Sequence, residues 1–144
     1  MVRHFTTHHS IPQIVINSNI SALIMTGGDN GEDYLSSVEV YHPGTNTSCT
    51  LPSLPEEIAG HSQDGFTQCG GYGSRQSCHT LNTDTAQWTK THNLSEKRSG
   101  HTSWRTLDGK ILLIGGYWSN TTTELVSDGS GVSTPGFTLK YETE

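Results

Sequence analysis

The chain has 144 residues, a formal net charge of −6 and only eight lysine and arginine residues, and 31% of its residues are apolar. This length fits one ordinary domain. The scattered basic residues form no charged patch, so no nucleic-acid partner is expected. The longest aliphatic run has four residues, too few for a membrane span, and the N-terminus lacks the apolar stretch of a signal peptide.

Residues 1–20 are predicted to be an N-terminal segment that either precedes the first repeat described below or contributes to it. The segment holds the densest group of histidines, at His4, His8 and His9. Two histidines four residues apart hold zinc when they lie on a helix. The β-branched residues and Pro12 disfavour a helix here, so no metal site is predicted.

The remaining chain is divided by three glycine pairs, whose spacings are 43 and 45 residues. These pairs are Gly27-Gly28, Gly70-Gly71 and Gly115-Gly116. An apolar or strand-like run precedes each pair, and a second strand-like segment follows about ten residues later, at 37–43, 77–83 and 123–128. Val38 and Val40 flank the polar Glu39 in the alternation of a half-buried strand. A period of 40–50 residues predicts a repeated β unit.

Two further marks recur within this period. Gly60-His61 and Gly100-His101 lie 40 residues apart, and we expect the two histidines to cap turns at the start of each repeat rather than to act in catalysis. A fourth strand is indicated around Cys49 and Trp88, and the tail 136–144 is expected to supply the last strand of the third repeat. No amphipathic helical stretch occurs, so the fold is predicted to be all-β.

The order of these features, from the apolar run and glycine pair to "VEVYHP" and "LPSLP", resembles a Kelch repeat over roughly 21–141. The Gly-His steps also occur in WD40 repeats, but the Trp-Asp pair of that family is missing. The resemblance implies a Kelch-type β-propeller of the galactose-oxidase-like superfamily, with about three four-stranded blades in residues 21–144 and boundaries near 58 and 98. Propellers close with about four to eight blades. We therefore expect an incomplete propeller that belongs to a longer one or self-associates to complete a ring, and an isolated chain that is oligomeric or poorly soluble.

The glycine pairs themselves are interpreted as packing features. Glycine lets two backbones approach closely and adopts a positive φ without strain. The aliphatic run Ile111–Ile114 before the third pair is predicted to be buried on both faces. A phosphate loop would need a helix after the glycines, and the residues that follow are poor helix formers.

The three cysteines leave several pairings open. Cys69 and Cys78 flank a predicted turn, so a disulfide across the hairpin is feasible if the register places them opposite each other. Cys49 with Cys69 is an alternative, as are three buried thiols, and no zinc-finger spacing exists. Four glycosylation sequons accompany them, at Asn19, Asn46, Asn93 and Asn120.

The cysteine-bearing segments resemble the extracellular Kelch proteins of invertebrates. An extracellular or secreted location is therefore expected, and a cytoplasmic one is the alternative because the chain shows no signal peptide.

The resemblance implies a non-catalytic interaction module that binds a protein or a glycan through loops and needs no cofactor. The candidate binding residues are Asp29, Asn30, Glu32, Asp33, Tyr72, Arg75, Tyr117 and Trp118. One alternative is a fragment of a copper radical oxidase related to galactose oxidase, although no arrangement of Tyr, Cys and His ligands is identifiable. The other is a cytosolic substrate adaptor without its BTB domain. No catalytic serine motif occurs, so the chain is not expected to be an enzyme.

Overall fold

The computed structural model describes residues 13–17, 20–74, 76–127 and 133–140. These residues form twelve strands and no helix, and consequently no helix among them crosses a membrane. The strands make three four-stranded antiparallel sheets, which we call blades 1, 2 and 3. Blade 1 contains β1 (Gln13–Asn17), β2 (Ile20–Thr26), β3 (Val38–His42) and β4 (Thr47–Leu51). Blade 2 contains β5 (Ser62–Asp64), β6 (Thr67–Cys69), β7 (Ser77–Asn82) and β8 (Gln87–Asn93). Blade 3 contains β9 (Thr102–Arg105), β10 (Ile111–Ile114), β11 (Thr122–Val126) and β12 (Thr134–Thr138).

Each blade is a meander in which strands pair in chain order. The predicted all-β fold with three repeated sheets is confirmed, and the strand-like segments of the sequence correspond to β3, β7 and β11. The last strand begins earlier than predicted, at Thr134, because Thr134 pairs with Leu125 across the sheet. Residues 141–144 of the predicted tail and the histidines at 4, 8 and 9 lie outside the described residues.

Two clusters of buried side chains join the blades. The first belongs mainly to blade 1 and includes Ile24, Val40 and the linker residue Ile58, with Trp88 of blade 2 packed against it. The indole Nε1 of Trp88 also donates to the Pro52 carbonyl at 2.7 Å. The second lies between blades 2 and 3 and consists of Cys69, Cys78, Leu94, Ile111, Leu113 and Val126. Neighbouring blades therefore bury their apolar faces against each other.

The expectation that Ile111–Ile114 is buried on both faces is wrong. Ile111 and Leu113 are buried in the cluster shared with blade 2, whereas Leu112 and Ile114 are only half-buried. The difference follows from strand geometry, because successive side chains point to opposite faces and only one face of β10 meets blade 2.

The glycine pairs lie where one blade meets the next. A Cβ atom on Gly27 would sit 2.5 Å from the carbonyl oxygen of Ile58, and one on Gly70 would sit 2.7 Å from that of Arg98. Both glycines have positive φ, at +54° and +65°. In these two pairs the second glycine donates its N–H to the same carbonyl, Gly28 to Ile58 at 2.8 Å and Gly71 to Arg98 at 2.7 Å. Gly27 and Gly70 therefore exclude a side chain both by conformation and by space.

A disulfide crosses the hairpin of blade 2. Cys69 and Cys78 are directly opposed in the pairing of β6 with β7, and their sulfurs are bonded. Of the two disulfide pairings considered from the sequence, this is the one that the structure contains. Cys49 has an exposed thiol on β4. By closing a short loop in the unfolded chain, a disulfide with this separation of nine residues stabilises the fold by about 2–3 kcal/mol.

The repeated histidines link blades, whereas the sequence suggests that they cap turns of their own blades. His61 of blade 2 is hydrogen-bonded through Nε2 to the Thr26 hydroxyl of blade 1 at 2.7 Å. The Thr26 hydroxyl donates to Gln63 Oε1, so His61 is the donor in its bond to Thr26. His101 of blade 3 makes the corresponding contact with Ser62 of blade 2 at 2.8 Å. Each histidine thus connects the start of its blade to a strand of the preceding blade.

Burial lowers the pKa of His61 to about 4. Burial also lowers the pKa of His101 to about 3, with further contributions from the positive charges of Arg98 and His61. Both imidazoles are therefore neutral in the folded chain at pH 7, while the same groups in the unfolded chain titrate near pH 6.5.

Acidification is expected to destabilise the chain well before its carboxylates are protonated. Below pH 6.5 the unfolded chain binds protons that folded His61 and His101 do not take up, so the free energy of unfolding falls from about pH 6.5 towards pH 4. Each histidine contributes a slope of at most about 1.4 kcal/mol per pH unit. Urea titrations at pH 7, 6 and 5 measure this slope. The His61→Gln variant should show a shallower one, and an unchanged slope would show that His61 is not responsible.

Candidate ligand-binding cleft

The three blades meet at one end around a cleft of about 330 Å³. Each blade and the linkers between them contribute to its lining. The residues that line it are Asp29, Tyr34, Ala59, Gly60, Tyr72, Ser99, Gly100 and Tyr117. The cleft is open to solvent, and its volume falls at the lower end of the range of about 300–1,000 Å³ that is usual for small-molecule sites.

Aromatic rings form a continuous row along this cleft. Tyr34 of blade 1 stacks on Tyr72 of blade 2, with ring centroids 5.9 Å apart and planes 22° apart. Tyr72 meets the edge of Trp118 at 5.6 Å, and Trp118 in turn meets Tyr117 at 4.6 Å in an edge-to-face contact. These separations are in the range in which aromatic pairs attract each other. The row presents a rigid aromatic surface built from all three blades.

The repeat itself places two of these rings. Tyr72 and Tyr117 each directly follow a glycine pair, and each pairs with the residue before a Gly-His step, Tyr72 with Ala59 and Tyr117 with Ser99. The two Gly-His steps are joined by a hydrogen bond from Gly100 N to the Gly60 carbonyl at 2.7 Å. Side chains at this position of the repeat therefore point to the same end of the fold.

Blade 1 departs from this pattern. Asp29 directly follows its glycine pair, and the aromatic side chain comes from Tyr34 at the far end of a tight loop, bridged to Asp29. The loop is held by Asp29 Oδ1, which accepts from Gly31 N at 2.7 Å, and by Asn30 Oδ1. Asp29 is the one charged residue among those that line the cleft within the described part of the chain.

Trp118 has a positive φ of +71°. Such a backbone conformation is costly for a bulky residue and is maintained only when the surroundings impose it. It accompanies the contacts of the Trp118 ring with Tyr72 and Tyr117. Strain of this kind concentrates at functional sites, and here it coincides with the aromatic row.

The candidate binding residues from the sequence are brought together only in part. Asp29, Tyr72 and Tyr117 line the cleft, and Trp118 contacts the last two. The loop residues Asn30, Glu32 and Asp33 are exposed beside the cleft but do not line it. Arg75 lies outside the described residues.

Sequence reasoning missed Tyr34 and the linker residues that form the floor of the cleft. Tyr34 lies in the loop that was predicted to bind, yet the repeat gives no counterpart for it in the other blades. Its position beside Tyr72 results from the packing of blade 1 on blade 2, which no local pattern reveals. In the sequence, Ala59 and Ser99 are marked only by their position directly before a Gly-His step.

The described sequon residues do not line this cleft. Among the sequons, Asn46, Asn93 and Asn120 are exposed, and Asn19 lies outside the described residues, so glycosylation stays a prediction. Within the described residues, no three His, Cys, Asp or Glu side chains are grouped so as to hold a metal ion.

Comparison with known proteins agrees with this architecture. Residues 24–55 match the family model of the Kelch motif. The chain is similar in structure to YjhT, with a TM-score of 0.69 and 14% identity, over 90% of this chain and 52% of that one. It is also similar to a fungal alcohol oxidase of the AA5 family in complex with copper, with a TM-score of 0.54 and 18% identity, over 81% of this chain and 28% of the oxidase. The chain thus spans about half of YjhT and less of the oxidase. No curated protein matches it significantly.

Proposed function

We propose that the chain, whose fold resembles that of a Kelch-type propeller, is a non-catalytic interaction module that holds a protein or glycan ligand in the aromatic cleft. The observation that carries this proposal is the convergence of Tyr34, Tyr72, Tyr117 and Trp118 from three blades into one row. Interaction surfaces of repeat proteins lie on such loops, which a rigid scaffold positions.

The composition of the cleft supports ligand binding. Tyrosine and tryptophan provide large contact areas at a small entropic cost and dominate the binding energy of many interfaces. The cleft takes a group of the size of a sugar ring or a single side chain, and the aromatic faces offer it a stacking surface. The carboxylate of Asp29 accepts hydrogen bonds, so it suits a hydroxyl or an N–H group at the edge of the bound ring or side chain.

The disulfide supports an extracellular location as part of the same proposal. Disulfides persist in oxidising compartments and are rare in the cytosol. The bond between Cys69 and Cys78 is therefore more compatible with a secreted chain than with the cytoplasmic alternative.

The second candidate function is a copper radical oxidase, which is favoured by the structural likeness to the AA5 alcohol oxidase. Purified chain incubated with cupric salt separates the two functions. Stoichiometric copper binding together with formation of hydrogen peroxide from an alcohol would support the oxidase. Neither is expected, because no three His, Cys, Asp or Glu side chains are grouped among the described residues.

The Tyr117→Ala variant is expected to weaken ligand binding at least about tenfold, because it removes one of the three tyrosine rings that line the cleft. The screen uses a printed glycan array and a displayed peptide library, followed by titration of the best-binding member. Tyr117 is 64% exposed, so its truncation should leave the fold intact.

Phe137→Ala is the matched control, since Phe137 is an aromatic residue of the same blade with 58% exposure on the outermost strand. Its affinity should equal that of the wild type. Equal affinity of the Tyr117→Ala variant, or no binder in either library, would contradict the proposal.

A further inference from the structure

The aromatic cleft carries charge of one sign. Asp29 lines it, whereas no lysine or arginine does so within the described part of the chain. Glu32 and Asp33 are exposed in the loop beside it, and the whole chain has a net charge of −6. A cleft with charge of one sign concentrates its field and attracts groups of the opposite sign. This cleft therefore favours a cationic group over an anionic one.

The basic residues that adjoin the lining in sequence do not offset this charge. The guanidinium of Arg98 is fully buried and forms an ion pair with Glu124. The histidines of the two Gly-His steps are buried as well. Burial lowers the pKa of His61 to about 4 and that of His101 to about 3, so both imidazoles are neutral at pH 7. The negative charge of Asp29 is therefore the one that a ligand in the cleft meets.

Backbone donors that could hold an anion are taken up within the fold. The N–H groups of Tyr72, Tyr117 and Gly100 all donate to backbone carbonyls of other lining residues, at 2.7–2.8 Å. The N–H of Gly31, in the loop beside the cleft, donates to Asp29 Oδ1 at 2.7 Å. An anionic ligand would therefore meet a carboxylate and the negative faces of aromatic rings without these N–H groups to bind it.

The Asp29 carboxylate lies beside an aromatic ring. Asp29 and Tyr34 are opposed across an antiparallel bridge. The Cβ atoms of such a pair are about 4.5–5.5 Å apart, and the two side chains lie on the same face. The bond from Gly31 N orients the carboxylate, which retains capacity for a ligand because its oxygens offer about four acceptor sites. A group that stacks on the Tyr34 ring is thus within reach of the carboxylate.

The tyrosine rings are accessible to such a group. Tyr34 is 40% exposed and Tyr117 is 64% exposed. Apart from Asp29 and the three tyrosines, the lining consists of an alanine, a serine and two glycines, so no long side chain fills the space between the rings. A cation placed over the face of an aromatic ring, within about 6 Å of its centroid, is attracted by the negative potential of that face. The cleft combines this attraction with the charge of the carboxylate.

We propose that the cleft binds an arginine side chain of a protein partner, with the guanidinium stacked on the tyrosine rings and hydrogen-bonded to the Asp29 carboxylate. Arginine suits this site better than lysine, because the guanidinium is planar, weakly hydrated and able to donate two parallel hydrogen bonds to a carboxylate. A neutral sugar would stack on the rings but would not use the charge. This inference rests on the proposed binding function and specifies its ligand as a protein rather than a glycan.

A displayed peptide library tests the proposal, followed by synthesis of the best-binding peptide in two forms. One form keeps its arginine, and the other carries citrulline, which has nearly the same shape without the charge. We expect arginine to be enriched among the selected peptides and citrulline to weaken binding at least about tenfold. Asp29→Asn should remove most of this difference, because the amide keeps an acceptor for Gly31 N but loses the charge.

Asp84→Asn is the matched control, since Asp84 is an exposed aspartate in the turn between β7 and β8 and does not line the cleft. This variant should keep the preference for arginine over citrulline. Equal affinities of the two peptide forms for the wild type, or a preference that Asp29→Asn leaves unchanged, would overturn the inference. An uncharged glycan as the best ligand, with binding that Tyr117→Ala weakens, would also overturn it but would leave the proposed function standing. The absence of any binder would contradict both.

Discussion

Replacement of Arg98 by methionine is expected to lower the free energy of unfolding by about 3–5 kcal/mol, because it leaves a buried carboxylate without its cation. Arg98 and Glu124 are both fully buried, and Arg98 Nε donates to Glu124 Oε2 at 3.1 Å. The guanidinium also donates to the carbonyls of Gly115 and Thr122, at 2.9 and 3.0 Å. Breaking such a pair costs more than the pair contributes.

Arg98 also stabilises the contact between blades 2 and 3. Its carbonyl accepts the hydrogen bond from Gly71, while its side chain is anchored to blade 3 through Glu124. The residue thus joins the second blade to the third at the place where Ile58 joins the first to the second. Loss of the Arg98 side chain should therefore weaken the contact between blades 2 and 3 as well as leave the buried Glu124 carboxylate without its cation.

Urea denaturation measures the effect, and Lys110→Met is its control. Lys110 and Asp108 form an exposed pair at 2.7 Å, whose loss should have little effect on stability because solvent screens the two charges. The double variant Arg98→Met with Glu124→Leu should recover part of the loss, since both charges are then absent. A cost for Arg98→Met no larger than that of the Lys110 variant would show that the buried pair does not hold the junction.

Gly70→Ala is expected to destabilise the chain by about 2–5 kcal/mol. Roughly 1–2 kcal/mol comes from the left-handed backbone that alanine disfavours, and about 1–3 kcal/mol from the collision with the Arg98 carbonyl at 2.7 Å. Gly65→Ala carries the first cost without the second, because the space around its Cβ position is open. Thermal or urea unfolding of the two variants isolates the contribution of contact between blades. Equal losses would show that the glycine pair serves backbone conformation alone.

Much of the fold is predictable because its determinants are local. The glycine pairs, the alternation of Val38 and Val40, and the recurrence of the Gly-His steps are visible in single stretches of sequence. The opposition of Cys69 and Cys78 follows from the turn between them once the register is known. The resemblance to Kelch repeats rests on these local features, and the match of residues 24–55 to the Kelch motif supports it.

Features that depend on contacts between blades are not predictable in this way. Ile58 and Arg98 occupy the same place two residues before a Gly-His step, and nothing local indicates that one is an apolar core residue and the other a buried cation. Glu124 is buried in a strand, where a charged residue is normally assigned to the solvent face. The stacking of Tyr34 on Tyr72 likewise requires that two blades first pack together.

The central claim is that this chain binds its ligand in the aromatic cleft. The fluorescence emission of Trp118 tests this claim directly. Trp118 is 48% exposed and contacts Tyr72 and Tyr117, so a ligand in the cleft removes water from its indole ring. The measurement is tryptophan emission during titration with the best-binding array glycan or library peptide. The emission spectrum of the Trp118→Phe variant is subtracted from that of the wild type, which removes the contributions of Trp88 and Trp104. We predict a saturable blue shift of the Trp118 emission at the affinity found by direct titration. Binding of undiminished affinity that leaves this emission unchanged would contradict the claim.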